Sequence, residues 1–152
     1  MNIAILHTQQ WLAQIIVGLN FCPFAKKELV NNTIHYHLSE QGKIKLAIKE
    51  LVEQCQFLQV HPELETSLII YEHSFLNFEN YLDLVSYAED LLVSSGFEGI
   101  FQLATFHPDY YFEGDDFDDA ANFTNRSPYP TLHIIRESSM EKVLKVYKNP
   151  EK

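Results

Sequence analysis

Helical segments and short strands alternate along the first two thirds of this chain, and that alternation limits the fold more than any other feature. Apolar residues recur at three- and four-residue steps in the segments predicted to be helical, which are residues 3–19, 42–60 and 77–96. Short runs rich in β-branched and aromatic residues predict strands over residues 33–38, 66–72 and 99–105. Because strand–helix–strand connections form right-handed crossovers, these three strands are expected to be parallel.

The last third of the chain begins with a long loop, predicted for residues 107–130. Residues 131–137 then predict a fourth strand, which is expected to be antiparallel because no helix separates it from the third. If Pro130 instead began a helix, residues 131–137 would belong to its first turns. A loop of this length inside a compact domain is usually functional, and its prolines and aromatic residues argue against disorder.

The predicted architecture is a single α/β domain of residues 1–152. Ser138 and Glu141 form a capping box for a last helix that extends to about Tyr147. The sheet is expected to be mixed and four-stranded, with three parallel strands and one antiparallel strand, and with the helices packed on it.

Composition and charge exclude several classes of partner. The net charge of −10 argues against nucleic acid and against an anionic membrane surface, since both need a basic protein face. No apolar run approaches the roughly 18 residues of a membrane span, and the amino-terminal residues do not resemble a signal peptide. The 2 cysteines do not make a disulfide framework, so a cytoplasmic protein is expected. The sequence leaves the oligomeric state open.

Both arginines of the chain, Arg126 and Arg136, lie in or just after the long loop, and the other cationic side chains are lysines. A guanidinium binds carboxylate or phosphate at two points, which an ammonium does not, so both arginines are candidate anion ligands. Arg126 with Asn125 and Ser127 is predicted to bind a small anion in a turn stiffened by prolines. The alternative is that Arg126 pairs with acids of its own loop, which are Glu113, Asp115, Asp116, Asp118 and Asp119.

Two histidines near the loop are candidates for acid–base chemistry, because histidine titrates near neutrality. His107 precedes Pro108 at the end of the third strand, where a polar ring can face a cleft, so it is the proton-transfer candidate. His133 lies in the apolar run TLHII, where a histidine is more often a core residue with satisfied hydrogen bonds. In a strand His133 and Arg136 point to opposite faces, whereas in a helix they share one.

Other loop residues could form the walls of a binding pocket. Tyr110 and Tyr111 offer flat aromatic walls with hydroxyl groups, and Asn122 and Asp109 offer polar groups that could orient a ligand. The alternative is that the loop packs its own aromatic side chains over the end of the sheet. The two interpretations are compatible, since a packed loop can also line a pocket.

Cys22 is a second, weaker catalytic candidate. It precedes Pro23 and is followed by Lys26 and Lys27. If Pro23 opens a short helix, Cys22 is its N-cap, and the helix dipole and the lysines lower the pKa of its thiol. The alternative is a small buried residue in the apolar motif NFCPFA.

A metal site is the least supported hypothesis. His37, His73 and His107 follow or end the three predicted strands, and with nearby carboxylates they would suit zinc, manganese or iron. However, the chain has no H-E-x-x-H motif and no paired C-x-x-C, and its acidic run lacks the glycine and the final glutamate of a calcium loop. No metal ligand and no cofactor are therefore predicted.

Two long motifs near opposite ends of the chain resemble a known family. They are GLNFCPFA at residues 18–25, and FQLATFHPDYYFEG followed by DDAANFTNRSPYPTLHIIRE across the long loop. Both resemble the signature motifs of a bacterial family called domain of unknown function 1415. The resemblance covers essentially the whole chain, and it implies no activity, substrate or catalytic residue.

The sequence therefore supports two main hypotheses and does not decide whether the protein is an enzyme. The first is a cytoplasmic protein that binds, and could transform, a small anionic metabolite under the 107–130 loop, with Arg126 holding the anion. The second is a non-catalytic protein–protein module that docks through the aromatic and acidic loop. A concave pocket where Arg126 and His107 converge would favour the first hypothesis, and an exposed apolar patch would favour the second.

Overall fold

The structure is a computed structural model that describes residues 2–17, 32–112, 114, 116, 122 and 125–138, without the side chains of residues 15–17. In chain order its elements are helix α1 (Ile3–Trp11), a π-helical segment (Leu12–Val17), β1 (Ile34–Ser39), α2 (Ile44–Val60), β2 (Thr66–Tyr71), α3 (Phe78–Ser94), β3 (Phe101–Phe106) and β4 (Thr131–Arg136). The predicted mixed α/β fold with a four-stranded sheet is confirmed. The last predicted helix, from Ser138 to about Tyr147, falls almost wholly outside the described residues.

The prediction that the first three strands pair with one another in parallel is wrong. The strand order is β1-β2-β4-β3, with β1 and β2 parallel and β4 antiparallel to both β2 and β3. Among the described strands, only β1 and β2 therefore form a parallel pair. The fourth segment is a strand, so the helical alternative for residues 131–137 is also wrong.

Burial explains why β4 lies between β2 and β3. All six residues of β2 are buried, as are the first five of β4, whereas β1 and β3 are mostly half-buried. A central strand is covered on both faces and paired on both edges, which agrees with the nearly continuous burial of β2 and β4. The long loop lets the chain return past β3 and insert β4 beside β2.

The helices cover both faces of the sheet. On one face α2 and α3 build the main core, which includes Leu51 and Leu58 of α2, Leu84 of α3, and Ile69 and Ile134 of the strands. On the other face α1 and the π-helical segment bury a second cluster, made of Trp11, Leu12, Ile34 and Leu68 with Tyr36 and Phe106 against it.

The amino-terminal helix differs from its prediction. The regular α-helix ends at Trp11 and a π-helical segment follows within the predicted range of residues 3–19, and the buried residues are Ala4, Thr8, Trp11 and Leu12. The side chain of Asn2 caps the helix by accepting hydrogen bonds from the first backbone N–H groups. Within the described ranges, none of the helices combines the length and apolar character needed to cross a bilayer.

The long loop starts and ends at one edge of the sheet. Since β3 and β2 are both antiparallel to β4, they run in the same direction, and β3 ends beside the start of β4, with Phe106 paired to Thr131. The buried Tyr81 hydroxyl joins these ends, because it donates to the Thr131 carbonyl at 2.6 Å and accepts the Phe106 N–H at 3.0 Å. This clamp from α3 fixes the two points between which the loop is built.

Candidate functional site

His107, the proton-transfer candidate, is completely buried at the start of the loop. Its Nδ1 accepts the Asp109 N–H at 3.0 Å, so the ring proton is on Nε2, which donates to the Phe75 carbonyl at 2.9 Å. The ring lies against Phe78 and Tyr81, with centroid distances of 5.1 and 4.9 Å. Burial lowers the pKa of His107, although the Phe75 carbonyl partly offsets this effect. Both ring nitrogens are therefore engaged inside the protein.

Phe75 explains why a histidine is needed at position 107. Phe75 has a φ of 56°, in the left-handed region that bulky residues rarely adopt. Its ring packs edge-on against Tyr71 at 5.1 Å, and its carbonyl receives the His107 proton. The hydrogen bond and the packing together offset the backbone strain at Phe75, in the loop that follows β2. His107 is thus a structural link between the 107–130 loop and the loop that follows β2.

The three other polar candidates of the loop hold its backbone. Asn125 accepts the His107 N–H through its carbonyl and donates its side-chain amide to the Thr105 carbonyl at 2.9 Å. Asn122 accepts the Phe112 N–H at 2.9 Å and donates to the Asp116 carbonyl at 3.0 Å. The Ser127 hydroxyl donates to the Tyr129 carbonyl at 2.6 Å. These contacts are those of turn-forming side chains that replace regular backbone pairing.

Arg126 is half-buried and contacts the same turn. Its Nε donates to the Tyr110 carbonyl at 2.9 Å, and the Tyr110 N–H donates to the His107 carbonyl at 3.1 Å. The fold therefore brings the backbones of Arg126, Tyr110 and His107 together, as the loop hypothesis requires. It does not bring the two functional side chains onto one surface, because the His107 ring points into the core between Phe78 and Tyr81.

A small cavity lies at the same edge of the sheet, between the loops that precede α2 and α3. It has a volume of about 190 Å³ and is lined by Gly42, Ile44, Phe75, Leu76 and Asn80. Neither Arg126 nor His107 is among its lining residues.

Three consecutive aromatic residues follow His107 and bring apolar surface to the outside of the loop. Tyr110 packs on Phe78 of α3 at 5.4 Å, and Tyr111 packs on the same ring at 5.2 Å. Phe112 lies edge-on against Tyr110 at 5.1 Å. Tyr111 and Phe112 nevertheless remain 41% and 40% exposed. We call these two side chains the aromatic surface.

His133 and Arg136 lie on opposite faces of β4. His133 is buried, and its Nε2 donates to the Thr66 hydroxyl, which itself donates to the Ile134 carbonyl at 2.7 Å. Burial lowers the pKa of His133 to about 4. Arg136 donates to the carbonyl of Leu58 in the last turn of α2 and to those of His61 and Leu64 just after it. Each side chain therefore forms hydrogen bonds within the fold, and the two do not belong to one site.

Comparison with known proteins agrees with the motif resemblance. Residues 3–152 match the family described as Protein of unknown function (DUF1415). The chain belongs to the DUF1415 family. No curated protein and no solved structure shows significant similarity to it. The family assignment confirms the predicted relationship and adds no chemistry, so the function of this DUF1415 protein must be inferred from its geometry.

The histidines proposed as metal ligands have other contacts in this DUF1415 protein. His37 Nε2 contacts the Glu50 carboxylate at 3.0 Å, and the exposed His73 contacts Glu72 at 3.2 Å. Within the part of the chain that the structure describes, no group of three or more His, Cys, Asp or Glu side chains is arranged to hold a metal ion.

The structure describes only one of the two cysteines. Cys22 lies outside the described residues, so its predicted reactivity stays a prediction. Cys55 is buried on α2, and burial raises the pKa of its thiol to about 12, so it acts as a core residue.

Two residues with important roles were not singled out in the sequence. Tyr81 lies on the apolar stripe of α3, where only its hydroxyl hints at the clamp between β3 and β4. Phe75 has no sequence signal at all, because left-handed backbone is predicted for glycine or asparagine rather than phenylalanine. Both residues contact His107, so tertiary packing defines the surroundings of the loop.

Proposed function

We propose that this DUF1415 protein is a binding module that docks on a partner protein through the aromatic surface of Tyr111 and Phe112. The observation that carries this proposal is the exposure of two adjacent aromatic side chains, at 41% and 40%. They lie on a loop whose backbone is held by hydrogen bonds to the buried side chains of His107 and Asn122. Aromatic residues are enriched among the side chains that dominate protein–protein binding energy. A cytoplasmic location, which the composition predicts, is part of this proposal.

Rigid support makes the aromatic surface suitable for binding. Phe78 and Tyr110 lie behind the two exposed rings, and the Asn122 side chain holds the Phe112 N–H. Side chains that are already ordered lose less entropy on association, so more of the contact energy contributes to affinity. The hydrogen bonds of His107 and Asn125 extend that order to the base of the loop.

Charge indicates the chemistry of the partner. The aromatic surface is flanked by the exposed carboxylates of Asp109 and Asp116, in a chain whose net charge is −10. A complementary protein surface would be basic around an apolar centre, since opposite potentials speed encounter and exclude wrong partners. We expect added salt to weaken the interaction, mainly through slower association.

The polar contacts of the loop favour docking over catalysis. A general base must reach the proton that it removes, and the buried His107 ring already uses both nitrogens. Asn122 and Ser127 likewise bond to the backbone of the loop, and the Asn125 side chain bonds to the backbone of β3. These residues explain how the aromatic surface is built.

Replacing the aromatic surface should abolish partner binding without unfolding the protein. The double variant Tyr111→Ser, Phe112→Ser should fail to capture a partner protein that the wild type captures from a lysate of the source cells. Because both rings are largely outside the core, the free energy of unfolding should fall by no more than about 1 kcal/mol. The partner must then bind the purified wild type directly by isothermal titration calorimetry.

Tyr87→Ser is the matched control, since Tyr87 is an aromatic residue of α3 that is 57% exposed outside the loop. It should keep full affinity for the purified partner. Equal binding by the loop variant and the wild type would reject the docking proposal.

A small anion bound under the 107–130 loop is the second candidate function. The observation that favours it is the fixed position of Arg126, whose Nε donates to the Tyr110 carbonyl and whose side chain is half-buried. A guanidinium held in this way is preorganised for a carboxylate or phosphate. In this proposal Asn125 and Asn122 hold the backbone around the anion through their hydrogen bonds, while Ser127 shapes the turn.

The anion candidate makes a separate prediction for Arg126→Lys. Inorganic phosphate should raise the melting temperature of the wild type, and the variant should lose that increase because an ammonium lacks the planar fork. Differential scanning fluorimetry across phosphate concentrations, at constant ionic strength, measures both. A variant that melts well below the wild type in the absence of phosphate would mean that Arg126 is structural. An equal increase with phosphate in both proteins would mean that Arg126 does not bind the anion.

A further inference from the structure

A groove lies between α2 and α3 on the face of the sheet that they cover. Its volume is about 470 Å³, and its apolar lining consists of Ile48, Val52 and Leu91, all half-buried. Pockets that bind ligands typically enclose about 300–1,000 Å³. The groove is therefore large enough to receive an aromatic side chain from another protein.

The rim of this groove is basic at the end where α2 begins. Lys45 and Lys49 line it one helical turn apart, and the exposed Lys43 precedes the helix. The first turn of α2 contains no acidic residue, and the N-terminal end of a helix adds positive potential. Glu53 lines the groove one helical turn beyond Lys49, so the basic part of the rim ends there. The groove thus combines an apolar floor with a local positive charge on a protein of net charge −10.

The aromatic surface has the complementary chemistry. Tyr111 and Phe112 supply exposed rings for an apolar floor, and Asp109 and Asp116 supply exposed carboxylates for a basic rim. We infer that the groove binds the aromatic surface of a second copy of this chain, so that the protein associates head to tail. This inference rests on the proposed docking role of that surface and names one partner for it.

Head-to-tail contact has a distinct consequence for assembly. The groove and the aromatic surface are different parts of the molecule, so each bound copy still offers one unused surface of each kind. Such a heterologous contact produces open chains unless its rotation closes a ring, whereas a two-fold contact stops at a dimer. The average mass in solution should therefore keep rising with protein concentration.

Sedimentation velocity of the full chain tests this inference with two variants. Val52→Asp places a charge on the floor of the groove, and Phe112→Asp removes an exposed ring and adds repulsion. Each variant alone should sediment as a monomer, because one side of every contact is damaged. An equimolar mixture should form a heterodimer and nothing larger, since the first variant keeps its aromatic surface and the second keeps its groove.

Several results would overturn the inference. They are a wild type that stays monomeric at all concentrations, a mixture that forms no heterodimer, and self-association that survives Val52→Asp. Lys45→Glu with Lys49→Glu repeats the test of the groove without changing its packing, and it should also prevent self-association. If the wild type is monomeric but Tyr111→Ser with Phe112→Ser still loses a different partner, the head-to-tail inference fails and the docking proposal stands.

Discussion

We expect His107→Ala to lower the free energy of unfolding by about 3–5 kcal/mol, the range for removing a large buried ring. The substitution removes the ring packed between Phe78 and Tyr81 and leaves a cavity in its place. It also leaves the Phe75 carbonyl without the hydrogen bond that accompanies its left-handed backbone, and the Asp109 N–H without its acceptor. An unsatisfied buried polar group costs about 1–3 kcal/mol, so the loss should lie toward the upper end of the range.

Urea denaturation followed by circular dichroism measures this change. His73→Ala is the matched control, because the His73 side chain is 89% exposed and its loss should change the stability by less than about 0.5 kcal/mol. A His107→Ala protein as stable as the wild type would contradict the structural role of His107. That outcome would instead favour a role for His107 in proton transfer.

The second large effect is a loss of stability in acid caused by His133. Burial lowers its pKa in the folded protein to about 4, from 6.5 in the unfolded chain. The unfolded state therefore binds the proton more tightly, and stability falls as the pH decreases from about 6.5 to about 4. Each pKa unit corresponds to about 1.4 kcal/mol, so this residue should remove about 3 kcal/mol across that window. Above pH 6.5 its contribution should be constant.

His133→Gln isolates this contribution, because glutamine does not titrate and its amide can donate to the Thr66 hydroxyl that His133 contacts. The free energies of unfolding of both proteins, measured between pH 8 and pH 4, should converge as the pH falls. Parallel curves would show that His133 is accessible to protons in the folded state. The buried His107 also has a lowered pKa and persists in the variant, so the difference between the two curves belongs to position 133.

The sequence predicts the elements of this fold better than their arrangement. Hydrophobic periodicity locates the helices and strands, and the predicted start at residue 77 agrees with Asn77, whose side chain caps α3. The predicted strand pairing was wrong because it assumed that consecutive strands are neighbours, as they are in about two thirds of cases. The number of β-branched residues was the available signal for the two central strands, since TSLIIY and TLHIIR have three each, whereas IHYHLS and FQLATF have one each.

The candidate site shows a similar division between position and role. Sequence reasoning located the 107–130 loop as the most unusual segment and named Arg126, Asn125 and His107 within it. It could not show that the His107 ring turns inward, because that depends on the Phe75 carbonyl, 32 residues away in the chain. A polar residue in a loop can either bind a ligand or build the loop, and only its tertiary partners separate the two roles.

The central claim is that the exposed aromatic rings of the loop, rather than its buried histidine, carry the function. Hydrogen–deuterium exchange of the wild type, with and without the purified partner, tests this claim most directly. Binding should slow exchange at the backbone amides of Asp109 to Phe112 and leave the slow exchange of β2 and β4 unchanged. Protection confined to segments outside the 107–130 loop, with no change at residues 109–112, would contradict the account.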